Sequence, residues 1–220
     1  MLQVECIPAF EDNYIWLLGE PGSSSCAVVD PGDEEPVIAL LEQRGYRLSA
    51  ILLTHKHYDH VGGVDGLKAR YPGVVVYGPG NEKIQQVERV LSEGESLTVP
   101  GTGLTFRIME VPGHTEGHLA YFGHNALFCG DTLFAGGCGR VFTGTFEQLS
   151  ASLDRIGQLP EDTMIYCAHE YTEANLGFAE WVEPENPALR QRLLDVQKLR
   201  ARGKPTAVSY THLTLPTTPY

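Results

Sequence analysis

An apolar run from Leu48 to Leu53 ends directly in Thr54-His55-Lys56-His57-Tyr58-Asp59-His60-Val61-Gly62-Gly63, so six consecutive positions hold three imidazoles and a carboxylate. A buried strand that delivers such a cluster to its C-terminal end constrains the fold more than any other feature of the chain, because open sheets host sites at that mouth. In an extended segment, residues two apart face the same way, so His55 and His57 can grip one cation together. Asp59 and His60 fall at a turn, where adjacent side chains can face a second. A solvated loop that merely happens to be His-rich has no need of this spacing.

The rest of the chain supplies sheets to carry that loop. With 220 residues, 42% of them hydrophobic, one substantial core is within reach. Residues 2–9, 13–20 and 25–30 read as antiparallel strands, split by Glu11-Asp12-Asn13 and Pro21-Gly22-Ser23. A helix is expected over 34–44, closed by Gly45, with Val37, Leu40 and Leu41 on one face. A second is expected over 61–71, with Asp59 as its cap, followed by a strand over 74–77. Further strands fit 97–99, 104–111, 118–122 and 126–129, the last two joined by a hairpin turn at His124-Asn125. Residues 164–168 read as one more strand, and helices dominate otherwise after residue 145. Two sheets packed face to face and covered by helices fit this order, which is an α/β class.

Several functions are excluded on bulk grounds. A formal charge of −12 argues against nucleic-acid binding through a basic surface. No leader pattern opens the chain and no run approaches the ~18 apolar residues of a membrane helix, so a soluble cytoplasmic protein with no membrane partner is expected. Cys6, Cys26, Cys129, Cys138 and Cys167 are scattered and lack a CxxC pair, which suits reduced thiols. Cys129 and Cys167 read as core residues and Cys138 as a loop residue that packs. The basic cluster Arg190, Arg192, Lys198, Arg200, Arg202 and Lys204 fits a solvated helix face or an anion-attracting surface equally well.

Three further candidates sit where a strand stops: His114 in Val111-Pro112-Gly113-His114-Thr115-Glu116-Gly117-His118, Asp131 in Cys129-Gly130-Asp131-Thr132, and His169 in Cys167-Ala168-His169-Glu170-Tyr171. His118 is expected to pack beside them, while His124 and His212 receive no role. In order and spacing, the Thr-His-Lys-His-Tyr-Asp-His, Pro-Gly-His-Thr-x-Gly-His, Gly-Asp-Thr-Leu-Phe and His-Glu-Tyr-Thr segments resemble the metallo-β-lactamase superfamily. Within it they resemble the hydroxyacylglutathione hydrolases, or glyoxalase II. The opening Ile7-Pro8-Ala9-Phe10-Glu11-Asp12-Asn13-Tyr14, the turn Val29-Asp30-Pro31-Gly32 and Ala135-Gly136-Gly137-Cys138-Gly139-Arg140 extend the likeness to about Thr206.

The resemblance implies an αββα sandwich with a small helical C-terminal region and a centre of two divalent metal ions, zinc foremost, with iron or manganese also compatible. His55, His57 and His114 would hold the first ion and Asp59, His60 and His169 the second, with Asp131 bridging. It further implies that Arg140, Phe142 and Tyr171 line the glutathione side. Phe142 stands where many relatives carry a tyrosine, so it offers no hydroxyl. Two cations roughly 3.5–4 Å apart lower the pKa of a shared water and supply the nucleophile. Asp59 and Asp131 are the catalytic carboxylates, with Asp59 placed to accept a proton on attack. The expected reaction is cleavage of S-(2-hydroxyacyl)glutathione, typically S-lactoylglutathione, to a hydroxy acid and glutathione, as in methylglyoxal detoxification, by a monomer.

An iron-dependent glutathione persulfide dioxygenase, a lactonase on the same fold and a non-catalytic metal-binding protein are the alternatives. The complete second ligand set argues against the first, Arg140 and Tyr171 against the second, and the full ligand complement against the third. The expected division is a catalytic domain over 1–168, a partial helical substrate-binding region over 169–206 and a non-native tail over 207–220. That tail, AVSYTHLTLPTTPY, carries no charge in a chain that is 20% charged, and resembles translated sequencing-adapter read-through. A genuine β-prone tail is the other reading. If the tail is foreign, the metal site is expected to be complete and the substrate site impaired.

Overall fold

The computed structural model describes residues 1–206 and, as backbone alone, residues 208–209. The break in composition at 207–220 otherwise lies outside the described residues, as does His212.

The first sheet runs in order β1 (Gln3–Ala9), β2 (Asn13–Gly19), β3 (Ser25–Val29), β4 (Arg47–Leu52), β5 (Val75–Pro79) and β6 (Arg89–Leu91). Its first three strands are antiparallel neighbours, and β3 to β6 pair in parallel. Parallel strands need crossovers, and α1 (Glu34–Arg44) and α3 (Val64–Arg70) supply the first two. α1 starts and ends as its sequence predicts: the Asp33 carboxylate accepts from the backbone N–H of Glu35, and Gly45 closes the helix at φ 67°. The expected helix over 61–71 is instead two pieces, α2 (Tyr58–Val61) and α3, separated at Gly62-Gly63. Asp59 therefore sits in the first turn of α2, whose cap is His57 and makes no side-chain cap bond. The expectation that Asp59 caps a helix is wrong, and its carboxylate is left for the site.

The second sheet follows the order β14, β13, β10, β9, β8, β7, from strands β7 (Ser96–Thr98), β8 (Thr105–Glu110), β9 (Leu119–Gly123), β10 (Ala126–Gly130), β13 (Met164–Cys167) and β14 (Val208–Ser209). A small hairpin of β11 (Leu133–Phe134) and β12 (Gly137–Cys138) projects between β10 and α4 (Phe146–Gly157). His124 and Asn125 join β9 to β10 at φ 55° and 57°, the two left-handed residues of a tight hairpin turn. Cys138 lies exposed on β12 rather than packed, a correction to the sequence reading, and the five cysteines form no disulfide. α5 (Thr172–Val182) and α6 (Pro187–Arg200) pack on one another.

Why the sheets stack is visible in β2, which is buried along its whole length. Tyr14, Trp16 and Leu18 point to the inter-sheet core with Leu52, Phe106, Ile108, Tyr121 and Phe128, while Ile15 and Leu17 point to α1 and α3 through Val37, Leu41, Val64 and Leu67. Period-two alternation between two apolar surroundings produces an uninterrupted apolar run. The result is helix, sheet, sheet, helix, with α4 adding Ile156 and Leu153 on the second sheet's side. β4, β8, β10 and β13 all end toward one rim, and the segments leaving them carry the candidate ligands. Among the described residues no helix is long and apolar enough to cross a membrane.

Candidate metal centre

Seven candidate side chains from four segments meet at that rim. His55 Nε2 lies 2.9 Å from His57 Nδ1, which lies 3.0 Å from His114 Nε2, and His114 Nε2 lies 3.4 Å from Asp131 Oδ2. On the other side, Asp59 Oδ2 is 3.5 Å from His60 Nε2 and 3.3 Å from His169 Nε2. Asp131 Oδ1 is 3.5 Å from His60 Nε2 and 3.3 Å from His169 Nε2. Asp131 thus presents one oxygen to each trio.

These distances match the donor shell of a cation. Metal–nitrogen bonds of about 2.0–2.1 Å place tetrahedral ligand atoms about 3.3 Å from one another. Hydrogen bonding accounts for the contacts less well. A ring nitrogen carries either one hydrogen or one lone pair, so His57 Nδ1 cannot satisfy both imidazoles that approach it. His60 Nε2 and Asp131 Oδ1 are buried with no directed hydrogen-bond partner, and both face the second trio. The residues present fit a metal centre.

The far side of each ring fixes which nitrogen is bare. Thr54 Oγ1 donates to Asp30 Oδ2 at 2.7 Å and so accepts from His55 Nδ1 at 3.0 Å. His60 Nδ1 donates to Asp30 Oδ2 at 3.0 Å, His114 Nδ1 to the Arg140 carbonyl at 2.7 Å, and His169 Nδ1 to Asp12 Oδ1 at 2.8 Å. Each leaves Nε2 as the ring atom aimed inward. Asn13 Nδ2 donates to Asp59 Oδ2 at 2.9 Å and holds that carboxylate in place. From sequence Asp12, Asn13 and Asp30 read only as turn residues; the structure adds these supporting roles. Asp12 and Asn13 lie at the turn between β1 and β2 and Asp30 follows β3, strands whose ends bear no ligand, so their positions in the sequence give no signal of these roles.

His118 packs as expected: it is buried, stacks on His55 with ring centres 4.7 Å apart, and accepts at Nε2 from the Asp131 N–H at 3.2 Å. Burial pushes it down to about 3, so it stays neutral. Gly130, at φ 50°, lets the backbone turn here, where a Cβ would lie 2.4 Å from Thr54 Oγ1. His124 is away from the site, accepting from the Thr105 N–H.

Electrostatics separate the two trios. Burial holds His55, His57 and His114 below the ordinary imidazole range, so all three are neutral donors. Burial opposes charge on His60 and His169 as well, but the surrounding carboxylates prevail. Asp131 and Asp30 raise His60 well above that range, and Asp131, Asp59 and Asp12 raise His169 to about 10. Without a cation, protons do the neutralising at the second trio.

The walls of the mouth are aromatic. Phe142 stands edge-on to His57 and His114 at 5.1 and 5.2 Å, with the Arg140 guanidinium 5.2 Å from its ring centre, and both are exposed. Tyr171 stacks on His169 at 4.8 Å with planes 7° apart. The structure thus places all ten sequence-predicted site residues around one opening. In the late basic cluster, Lys198 pairs with Asp195 and Arg190 with Glu180.

The profile of the metallo-β-lactamase superfamily matches residues 10–169, and that of the hydroxyacylglutathione hydrolase C-terminus matches residues 170–220. A hydroxyacylglutathione hydrolase of Pseudomonas fluorescens (strain SBW25) is 51% identical over 221 residues, covering 100% of this chain and 86% of its own length. The chain belongs to the hydroxyacylglutathione hydrolase family of the metallo-β-lactamase superfamily. A family member from Dechloromonas aromatica (strain RCB) is 57% identical over 206 residues, covering 94% of this chain and 76% of its own. Among solved structures, TTHA1623 in a di-iron-bound form superposes with a TM-score of 0.63 at 29% identity, over 76% of this chain and 91% of that one. Family membership accounts for the fold and for a site able to bind divalent metal.

Proposed function

We propose that this chain hydrolyses S-(2-hydroxyacyl)glutathione thioesters, S-lactoylglutathione foremost, at a centre of two divalent cations. The observation that carries the metal part is Asp131, whose two oxygens face two separate trios of donors. His55, His57 and His114 would hold one ion and Asp59, His60 and His169 the other, with Asp131 available to both. Zinc suits three imidazoles with a carboxylate, while the second, more carboxylate-rich set equally accepts iron or manganese. The di-iron form of TTHA1623 supports a pair of ions on this fold. Bound there, the cations would lower the pKa of a shared water and polarise the thioester carbonyl.

The chain's own residues do the rest. Asp59, whose Oδ2 faces His60 Nε2 and His169 Nε2, is the carboxylate placed to take the proton lost by the attacking water. The leaving thiol has an ordinary pKa of about 8.5 and departs as thiolate without a dedicated acid. Arg140 attracts the carboxylates of the peptide portion, and the Phe142 and Tyr171 rings flank it on either side of the centre. The profile match over 170–220 and the names of the relatives support glutathione as the carrier. Residues 1–168 form the catalytic part and 169–206 the substrate-side part. All seven donors come from one chain, so the site is complete without a second copy, and the reduced thiols fit the cytoplasmic setting expected from the sequence.

Zinc-loaded protein is tested by thiol release from S-lactoylglutathione. Release that depends on the metal is expected; no release, with oxygen uptake on glutathione persulfide instead, would replace this reading with the dioxygenase one.

A further inference from the structure

Glu82 is a buried acid that the chemistry above does not use. It is 3% exposed and lies just past β5, at the same rim as the site. Its Oε1 accepts from the Gly117 N–H at 2.6 Å and its Oε2 from the Lys56 N–H at 3.3 Å, with the Lys56 ammonium 3.6 Å from Oε2. Lys56 stands between His55 and His57. Gly117 stands three residues beyond His114 on the same loop. One carboxylate therefore ties together the two segments that supply the three imidazoles of the first trio. Its hydrogen bonds go to neither α2 nor the end of β13, which supply the second.

Two further features show that the contact is built in. A Cβ on Gly117 would lie 2.9 Å from Glu82 Oε1 and 3.0 Å from its Cγ, so the loop approaches this closely only because residue 117 has no side chain. Lys83, the next residue, adopts φ 56°, a conformation unfavourable to a residue bearing a side chain.

We propose that Glu82 is a positioning residue that sets the first trio, and that its loss weakens the first cation selectively. The N–H bond at Lys56 fixes the backbone rotation that aims both flanking imidazoles, and the bond at Gly117 holds the His114 loop against them. An amide in its place would turn an N–H₂ toward one of the two N–H donors and release one segment. The proposal rests on the two-cation reading.

The test uses full-length protein loaded with zinc, challenged with increasing chelator, and read as zinc per chain, with thermal unfolding followed in parallel. Wild type is expected to keep two zinc ions at a chelator concentration where Glu82→Gln keeps one. The chelator midpoint for the lost ion should fall roughly ten- to a hundredfold, the usual scale for groups that orient metal ligands. Zinc-edge anomalous diffraction should show the loss at His55, His57 and His114. Gly117→Ala, which retains the carboxylate but displaces it, is expected to give the same pattern and decides the matter if Glu82→Gln fails to fold. Retention of both ions, parallel loss of both, or loss from the Asp59 trio would overturn the proposal. Wild type holding a single zinc would sink the two-cation reading instead. Glu82 would then stand only if Glu82→Gln still lowered that ion's midpoint.

Discussion

At the scale of single residues, the site depends on groups that never meet substrate. Asn13 shows this most simply: its amide donates to Asp59 Oδ2 at 2.9 Å and to the Asp59 carbonyl at 3.3 Å, from a position 46 residues away in sequence. Asn13→Ala would leave the carboxylate free to swing. Zinc affinity at the Asp59 trio is expected to fall roughly ten- to a hundredfold while the first trio keeps its ion; equal retention of both ions in a chelator series would contradict this. The ligands themselves were legible in the sequence, because His55, His57, Asp59 and His60 lie within one loop and His114, Asp131 and His169 each follow a strand. Their supports were not. Asp12 and His169 are 157 positions apart, and only the stacking of two sheets makes them neighbours.

At the scale of elements, strand positions were readable from apolar runs and turn residues, and α1 matched from cap to cap. The split between α2 and α3 escaped because the apolar period continues through Gly62-Gly63 while the backbone does not. β6 escaped because Arg89–Leu91 is too short to show a period. The join between α6 and the sheets also lies beyond sequence. Tyr14 on β2 donates to Glu170 Oε2 at 2.8 Å and accepts from Arg200 Nη1 at 2.9 Å, and Glu170 accepts from the Thr206 N–H at 2.6 Å. This network fastens the C-terminal helices beside His169. Tyr14→Phe removes the hydroxyl at its centre and is expected to cost about 1–2 kcal/mol, read as a Tm lower by a few degrees and faster proteolysis near α6. An unchanged Tm and cleavage pattern would show the helices to be held by packing alone.

At the scale of the whole molecule, two sheets converge on a rim where acids and imidazoles exchange protons for metal. In the metal-free protein the raised imidazoles of His60 and His169 contribute stability at acid pH, which is lost as pH rises through the His169 value of about 10. Metal uptake near neutral pH must displace both protons, so zinc affinity should increase with pH. Calorimetric titration in two buffers of different ionisation enthalpy is expected to read at least two protons released per chain, one from each imidazole, with up to one more from the acidified water. A value near zero would mean that these imidazoles are already neutral.

The central claim is a thioester hydrolase that needs both cations. It is tested most directly by titrating zinc into metal-free protein while following thiol release from S-lactoylglutathione. The account predicts a rate that climbs to its plateau at two equivalents per chain. A plateau at one equivalent, or no release at any, would contradict it.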